Sequence, residues 1–206
     1  MNPLDIETYP AGPEHEAGLL ALFEATGSGC YCRYYHFTGP VNEWLERCAV
    51  RADENRDEFR HALTTHSDEA RGIVAIARDT TGTSLSPGQL IGWLKVTPVE
   101  QMQKAYDRRL YKNLPCFTGD RAGVFLIGCA LVHPAARKQG VTTALVGGAV
   151  RFAPSWGARA LEALPRRPRE TVRDDELWTG PVGAFSRNGF TEVHTFEPYP
   201  VLRRAV

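Results

Sequence analysis

The fold is decided by one stretch of the sequence, Val124-Phe125-Leu126-Ile127-Gly128-Cys129-Ala130-Leu131-Val132-His133-Pro134. Its first nine residues are apolar at both alternating positions, which is the pattern of a strand covered on both faces of a sheet. Pro134 cannot extend a sheet ladder, so the strand ends there. The sequence therefore predicts a buried central strand over Val124–Val132.

A turn and a helix follow this strand. Apolar residues recur at helical spacing from Val141 to Phe152, so the helix packs on the sheet. Arg137 and Lys138 stand at the positive end of the helix dipole, which is unfavourable by about 0.3–1 kcal/mol each unless an anion binds there. Gly140 would let a bulky group approach bare backbone N–H donors. These features predict a phosphate site; the alternative is an ordinary helix start with solvated charges.

The known nucleotide motifs do not explain this turn. The sequence contains no G-x-x-x-x-G-K-S/T and no G-x-G-x-x-G after a strand. It instead resembles the GNAT acyltransferase superfamily, whose signature is Q/R-x-x-G-x-G/A after a central strand and a V-x-P segment. Here the match is Val132-His133-Pro134 followed by Arg137-Lys138-Gln139-Gly140-Val141-Thr142.

A second element resembles the same family. The segment Ala184-Phe185-Ser186-Arg187-Asn188-Gly189-Phe190 is similar to the late A-x-Y-x-x-x-G-F element, with Phe185 in place of tyrosine, and Thr142 replaces the last glycine or alanine of the signature. The resemblance implies a single-domain α/β fold over residues 1–206. It would have a mixed, mostly antiparallel central sheet, split open around a cofactor, with helices on both faces.

The resemblance also implies the co-substrate, acetyl-CoA or another acyl-CoA, and an amine of a small molecule as acceptor. The central strand would pair through its backbone with the pantetheine arm, and the turn would hold the pyrophosphate through N–H groups. The residues concerned are Cys129, Ala130, Leu131 and Val132 for the first contact, and Arg137, Lys138, Gln139, Gly140, Val141 and Thr142 for the second.

In this family the amine attacks the thioester directly, so a base and an acid are sought. Glu162 is the candidate base because an ionised group in the apolar strand Ala160–Leu164 needs a partner or a task. The alternative is a salt bridge with Arg166 or Arg167. Since a phenyl ring at Phe185 cannot donate a proton, Tyr34 is the candidate acid. Its neighbour Tyr35 could also supply the hydroxyl, and packing is the alternative for both.

Composition narrows the remaining partners. Among 206 residues, Lys plus Arg and Asp plus Glu are 24 each, so no net field recruits nucleic acid or a membrane surface. The acidic start of the chain, residues 1–7, lacks the pattern of a signal peptide. Five scattered cysteines fit a reducing compartment, and we expect a cytoplasmic protein. A homodimer is one option for its assembly.

The pair Cys30 and Cys32 also raises the possibility of a metal. Zinc needs four ligands and only two are close in sequence, so buried thiols are favoured and no metal is expected. Two rival functions stay open beside the enzyme. One is a degenerate CoA-binding module without catalysis, favoured by Phe185, and the other is a zinc-stabilised interaction domain.

The rest of the sequence predicts the elements around this centre. Strands are expected over residues 6–9, 72–78, 90–96, 158–164, 190–195 and 201–203, with the second and third forming a hairpin. Helices are expected over residues 13–25, 41–65, 99–111 and 181–187. The apolar face of the second helix would comprise Trp44, Leu45, Cys48, Ala52, Phe59 and Leu63.

Overall fold

The computed structural model describes residues 4–81 and 83–206. Residues 1–3, which belong to the acidic start used above, and residue 82, in the predicted hairpin turn, lie outside the described residues. The strands are β1 (Ile6–Pro10), β2 (Gly72–Ala77), β3 (Leu90–Pro98), β4 (Val124–Val132), β5 (Ala160–Ala163), β6 (Thr191–His194) and β7 (Val201–Ala205). The helices are α1 (Glu16–Ala25), α2 (Val41–Val50), α3 (Ala52–Thr64), α4 (Val141–Phe152) and α5 (Val182–Ser186).

The seven strands form one mixed sheet in the order β1-β2-β3-β4-β5-β7-β6. β4 and β5 pair in parallel, and the other neighbouring strands pair antiparallel. Hydrophobic clusters cover both faces, one including α1 and α3 and the other including α4 and α5. The predicted fold class, a mostly antiparallel sheet with helices on both faces, is confirmed.

β4 and β5 separate part of the way along their length. Their pairing runs from Val124 opposite Ala160 to Ile127 opposite Ala163. β4 then continues to Val132, while β5 ends at Ala163. Five residues of β4 therefore extend beyond its last β5 partner, and this opening is called the cleft below.

The helix predicted over residues 41–65 is wrong as a single element. Arg51 leaves the helical conformation with φ −129° and ψ 38°, and α2 and α3 fold against each other on either side of it. Arg47 of α2 contacts Glu54 at 3.3 Å and also pairs with Glu58, both on α3. Leu45 of α2, a member of the predicted apolar face, is 59% exposed.

The helix predicted over residues 99–111 is also wrong. Two short 3-10 turns, Val99–Gln101 and Gln103–Ala105, stand in its place. Met102 interrupts them with φ −118° and is fully buried, its terminal methyl group beside Gly128 of β4. The anchoring of Met102 in the core explains the break, because a continuous helix would rotate the following residues away from the sheet.

α4 lies very close to the sheet because glycines face it. A methyl group built on Gly92 of β3 would lie 2.7 Å from Val141 Cγ1 and 3.0 Å from Leu145 Cδ1. One built on Gly148 of α4 would lie 2.8 Å from Ile73 Cγ2. Real Cβ atoms are not found so close, so both contacts depend on glycine.

Candidate functional site

The cleft between β4 and β5 has one backbone donor already in use. The Ala130 N–H donates to the Trp178 carbonyl oxygen at 2.6 Å. Trp178 belongs to the connection between β5 and α5. Residues 173–180 of this connection, which include a 3-10 turn over Asp174–Leu177, are called the strap below. The strap crosses the open edge of β4 where the pantetheine arm was predicted to pair.

The turn after β4 ends in the expected helix start. Gly140 is the N-cap of α4 and has φ 84°, and Lys138 also has a positive φ of 61°. The first N–H groups of a helix have no partner within the helix, and they carry the positive end of its dipole. A Cβ built on Gly140 would have nothing within 4 Å. Open space thus lies in front of an N-terminus that favours anions.

The side chains around this turn divide into two kinds. Gln139 folds back and donates to the Ala135 carbonyl oxygen at 2.9 Å, and Val141 is buried in the core, so both stabilise the turn. Lys138 is exposed, and Arg137 is partly exposed with its Nη1 atom 4.0 Å from Asp174 of the strap. Arg137 and Lys138 are thus the two cations whose side chains reach the surface beside the helix start.

The opposite face of β4 is covered by the aromatic connection between α1 and α2. The Cβ position of Gly128 lies 3.2 Å from Cε2 of Tyr35, and the Tyr35 ring also lies 6.4 Å from that of Trp178. Burial raises the pKa of Tyr35 well above its ordinary value, which keeps the hydroxyl protonated. Tyr34 packs further out, between Trp44 and the Lys104 ammonium group. Tyr35 is thus the tyrosine next to β4.

Sequence reasoning missed a lysine beneath the cleft. Lys95 of β3 is fully buried at the irregularity where the β3–β4 register shifts, and its ammonium group donates to the Glu69 carbonyl oxygen. Burial lowers its pKa from 10.5 to about 8, and the nearby thiols Cys32 and Cys129 oppose that shift. A cation inside the apolar run Leu90–Pro98 was the available signal, by the same argument that singled out Glu162.

Glu162 is fully buried, but its carboxylate is already paired. Oε1 accepts from Tyr106 Oη at 2.7 Å and from Arg121 Nη2 at 2.8 Å. Oε2 accepts from Arg203 Nη2 at 2.6 Å and from Nε of the same residue at 3.1 Å. Four hydrogen bonds from three side chains favour a structural role over proton abstraction. Glu162 as general base stays a prediction.

The salt-bridge partners suggested for Glu162 from the sequence are wrong. Arg166 pairs with Glu176 at 2.9 Å, and Arg167 pairs with Glu192 at 2.7 Å. Side chains alternate along β5, and Glu162 lies opposite Leu126 of β4, four residues before Ala130. At about 3.3 Å per residue this separation is about 13 Å. Glu162 therefore lies where β4 and β5 are paired, away from the part of β4 that extends past β5.

The cysteines are all free thiols. In the part of the chain that the structure describes, no group of three or more His, Cys, Asp or Glu side chains is arranged to hold a metal ion. Within the same residues no helix is long and apolar enough to cross a membrane. Burial is the largest cause that raises the pKa of the Cys32 thiol well above its ordinary value.

A strand that outruns its parallel neighbour and leads into a glycine-capped helix start is the feature that the resemblance implied. A family model described as the acetyltransferase (GNAT) family matches residues 39–173 of the 206. The chain belongs to the GNAT acetyltransferase family. As a member of it, the protein is an acetyltransferase, and the family predicted from the signature is confirmed.

Solved structures of other GNAT proteins share the fold at low identity. A PaiA N-acetyltransferase from Thermoplasma acidophilum, solved in complex with coenzyme A, is 10% identical, with 98% of this chain and 100% of that chain covered and a TM-score of 0.51. The GNAT domain of S. lividans PAT is 16% identical, with 98% and 90% covered and a TM-score of 0.52. A GCN5-related N-acetyltransferase from Kribbella flavida is 15% identical, with 98% of each chain covered and a TM-score of 0.52. No curated protein matches the sequence.

The GNAT match ends at residue 173, so nearly all of the strap and the whole of α5 lie outside the matched residues. Phe185 of α5 is fully buried and packs edge-on against Phe190 at 5.4 Å between ring centroids. The position at which the resemblance would place a tyrosine hydroxyl is therefore an apolar core position in this GNAT protein.

Proposed function

We propose that this acetyltransferase uses acetyl-CoA to acetylate the amine of a small molecule. The observation that carries the proposal is the end of β4. The strand extends five residues past its last β5 partner and leads through Pro134–Ala136 into the glycine-capped start of α4. A strand edge without a neighbouring strand suits the amides of a pantetheine arm, and a helix N-terminus suits a pyrophosphate.

The binding residues proposed are those of the strand end and of the turn. Ala130 and Val132 would pair with the pantetheine arm through their backbone, and the N–H groups from Gly140 to Thr142 would meet the pyrophosphate. Arg137 and Lys138 add two cations at the same end of the helix. One complexed GNAT structure, the Thermoplasma PaiA protein, contains coenzyme A. Because its identity to this chain is low, it supports only the fold, which in that protein holds coenzyme A.

The chemistry proposed is direct transfer. The neutral amine nitrogen attacks the thioester carbonyl carbon, a C–N bond forms, the C–S bond breaks, and the electron pair leaves on sulfur. The amine loses one proton and the thiolate gains one. Positioning of the two reactants would contribute to the rate enhancement, because an amine and a thioester held in contact react as a unimolecular system.

The sequence offered a tyrosine, Tyr34 or Tyr35, as acid and Glu162 as base for these proton transfers. Tyr34 or Tyr35 would protonate the thiolate, and the contact of Tyr35 with Gly128 makes it the better placed of the two. Glu162 would have to lose an arginine partner before it could accept a proton. We therefore propose that Glu162 positions β5 against β7, and that deprotonation of the amine does not use it.

A second candidate is a GNAT fold that binds CoA without catalysis. The complete burial of Phe185 favours it, because no hydroxyl is present at that position of α5. Isothermal titration with CoA and acetyl-CoA, followed by a thiol-release assay over a panel of small amines, separates the two. Binding with turnover supports the acetyltransferase, and binding without turnover over the whole panel supports the second candidate.

The remaining expectations concern the setting of the reaction. We propose a cytoplasmic enzyme, because five free thiols are typical of a reducing compartment. Equal numbers of acidic and basic residues give no reason to expect a nucleic-acid or membrane partner. The single domain over residues 1–206 and a possible homodimer stay predictions.

A further inference from the structure

We infer that the strap is an internal competitor of the cofactor: residues 173–180 occupy the groove along β4 and α4, and they must be displaced before CoA can bind. The inference rests on the proposed function, since it concerns the same groove. Three separate contacts carry it, and each one covers a position that the proposed CoA site requires.

The first contact is a backbone hydrogen bond. The Ala130 N–H points into the cleft and donates to the Trp178 carbonyl oxygen at 2.6 Å. An amide carbonyl is also the group that a pantetheine arm would offer to this donor. One N–H cannot make both bonds at full strength, so the strap and the arm exclude each other at this point.

The second contact is electrostatic. The Asp174 carboxylate lies 4.0 Å from Arg137 Nη1, on the cation beside the anion-favouring start of α4. Asp174 thus brings a negative charge to the turn that is proposed to bind phosphate. Both side chains are partly exposed, so the pair by itself is weak. The pair matters because it engages Arg137, the same residue that would meet the pyrophosphate.

The third contact is steric. A Cβ built on Gly180 would lie 3.1 Å from Phe185 Cε2 and 3.5 Å from Thr142 Cγ2. The end of the strap is therefore pressed between α5 and the first turn of α4. Thr142 is the residue that departs from the family signature, and its methyl group provides this wall. The strap thus lies against the open edge of β4, the Arg137 cation of the turn and the Thr142 side chain, while the space in front of Gly140 stays open.

Hydrogen bonds within the strap hold it together. Glu176 accepts from the Arg173 N–H at 3.3 Å, and the Gly180 N–H donates to the Leu177 carbonyl oxygen at 2.7 Å. Glu176 also accepts from Arg166 at 2.9 Å, and because Arg166 lies outside the strap, this bond must break when the strap leaves the groove. Gly180, with φ 83°, stands beside the bridge between Arg166 and Pro181 and provides a hinge.

Displacement of the strap also changes the acceptor side. The Trp178 ring lies 6.4 Å from Tyr35 and beneath the Arg108 guanidinium at 5.8 Å, with the side chain 37% exposed. When the strap leaves, Tyr35 is uncovered next to Gly128. Entry of CoA would thus open the region where the acceptor amine must arrive, which predicts that CoA binds first and the amine second.

The experiment compares CoA affinity in the full-length protein by isothermal titration. Trp178→Ala removes the ring contacts of the strap, and Asp174→Asn removes its charge on Arg137. Glu24→Gln, on the exposed side of α1, is the matched control for loss of one negative charge. A closed state lowers the apparent affinity, because the intrinsic affinity is multiplied by the fraction of molecules that are open. We therefore expect CoA to bind about tenfold more tightly to Trp178→Ala. For Asp174→Asn the gain should be about two- to fivefold. Glu24→Gln should match the wild type.

Hydrogen exchange gives a second measurement that does not depend on a variant. On addition of CoA, amides of residues 173–180 should exchange faster, while those of residues 128–132 should become more protected. Weaker CoA binding by Trp178→Ala, with a strap that becomes more protected, would mean that the strap closes over the cofactor, and it overturns the inference. If the variants bind CoA with the affinity of the wild type and CoA does not change the exchange of the strap, the inference about the strap is overturned and the proposed function stands. No CoA binding by any variant, Trp178→Ala included, overturns the proposed function with it.

Discussion

Glu162 of β5 and Arg203 of β7 are directly opposite each other in the antiparallel pair, and two hydrogen bonds of 2.6 and 3.1 Å join them. Arg121, in the loop before β4, and Tyr106, in the turn after β3, donate the other two hydrogen bonds to the same carboxylate. Glu162 therefore links strands and loops on both sides of the cleft. This arrangement makes a definite prediction about its substitution.

Glu162→Gln should destabilise the protein by roughly 3 kcal/mol, because it leaves two guanidinium groups without their buried carboxylate. Thermal and denaturant unfolding measure this loss. Turnover per folded molecule, assayed well below the melting temperature, should stay close to that of the wild type. Glu192→Gln, which removes the partially exposed partner of Arg167, is the control and should change stability by less than about 1 kcal/mol. A stable Glu162→Gln enzyme with turnover reduced by about 10²–10⁴-fold would instead identify Glu162 as the general base.

Substitution of Gly140 tests the phosphate site. Its φ of 84° is tolerated by Asn and Asp better than by other residues, and a Cβ there meets open space, so both variants should fold. Gly140→Asp places a carboxylate where the pyrophosphate is proposed to lie, and the Kd for CoA should rise at least tenfold, about 1.4 kcal/mol. Gly140→Asn, nearly equal in size but neutral, is the control and should have a smaller effect. Equal CoA affinity in folded Gly140→Asp and wild type would contradict the proposed site.

The two tyrosines can be ranked by the same assay. Tyr35 lies against Gly128 of β4, whereas Tyr34 packs between Trp44 and Lys104. Tyr35→Phe should lower kcat by about tenfold or more if its hydroxyl protonates the thiolate, while the KM for acetyl-CoA stays unchanged. Tyr34→Phe keeps its ring contacts and should have little effect. A larger loss of kcat in Tyr34→Phe would assign the acid to that residue, as the sequence first suggested.

Lys95 predicts a pH dependence of stability. Its folded pKa of about 8 is below the unfolded value of 10.5, so between these pH values the unfolded chain binds the extra proton. The free energy of unfolding should therefore rise with pH in this window, by up to about 1.4 kcal/mol per pH unit from this group. Lys95→Met has no titrating group at this position. The difference in the free energy of unfolding between wild type and variant therefore isolates the contribution of Lys95. Parallel stability curves from pH 7.5 to 10 would show that Lys95 does not titrate in this way.

The centre of the fold could be predicted because its signals are local. The apolar run that forms β4, the stop at Pro134 and the helical spacing after Val141 are all read within thirty residues of sequence, and the structure has them in the expected order. The helix over residues 41–65 failed for the opposite reason. Arg47 and Glu58 meet across the break at Arg51, and a periodic pattern carries no sign of that contact.

For the candidate site, the sequence predicted the local backbone features but not the long-range side-chain partners. Gly140 and its neighbours follow from a motif, but the partners of Glu162 come from Arg121 and Arg203, which lie about forty residues away on either side. The bond between Ala130 and Trp178 is of the same long-range kind. No spacing rule connects such residues, because their approach is decided by the whole sheet.

The glycine beneath α4 leads to a final consequence. Because Gly92 allows Val141 and Leu145 to rest on β3, the height of the helix above the sheet is determined by a missing side chain. A bulkier residue there would lift the first amides of α4, which are proposed to meet the pyrophosphate, without altering any atom of the proposed cofactor site. Random mutagenesis followed by selection for altered cofactor affinity should thus recover substitutions at Gly92, beneath α4. Cofactor affinity in this enzyme would then depend on a buried position that does not touch the cofactor.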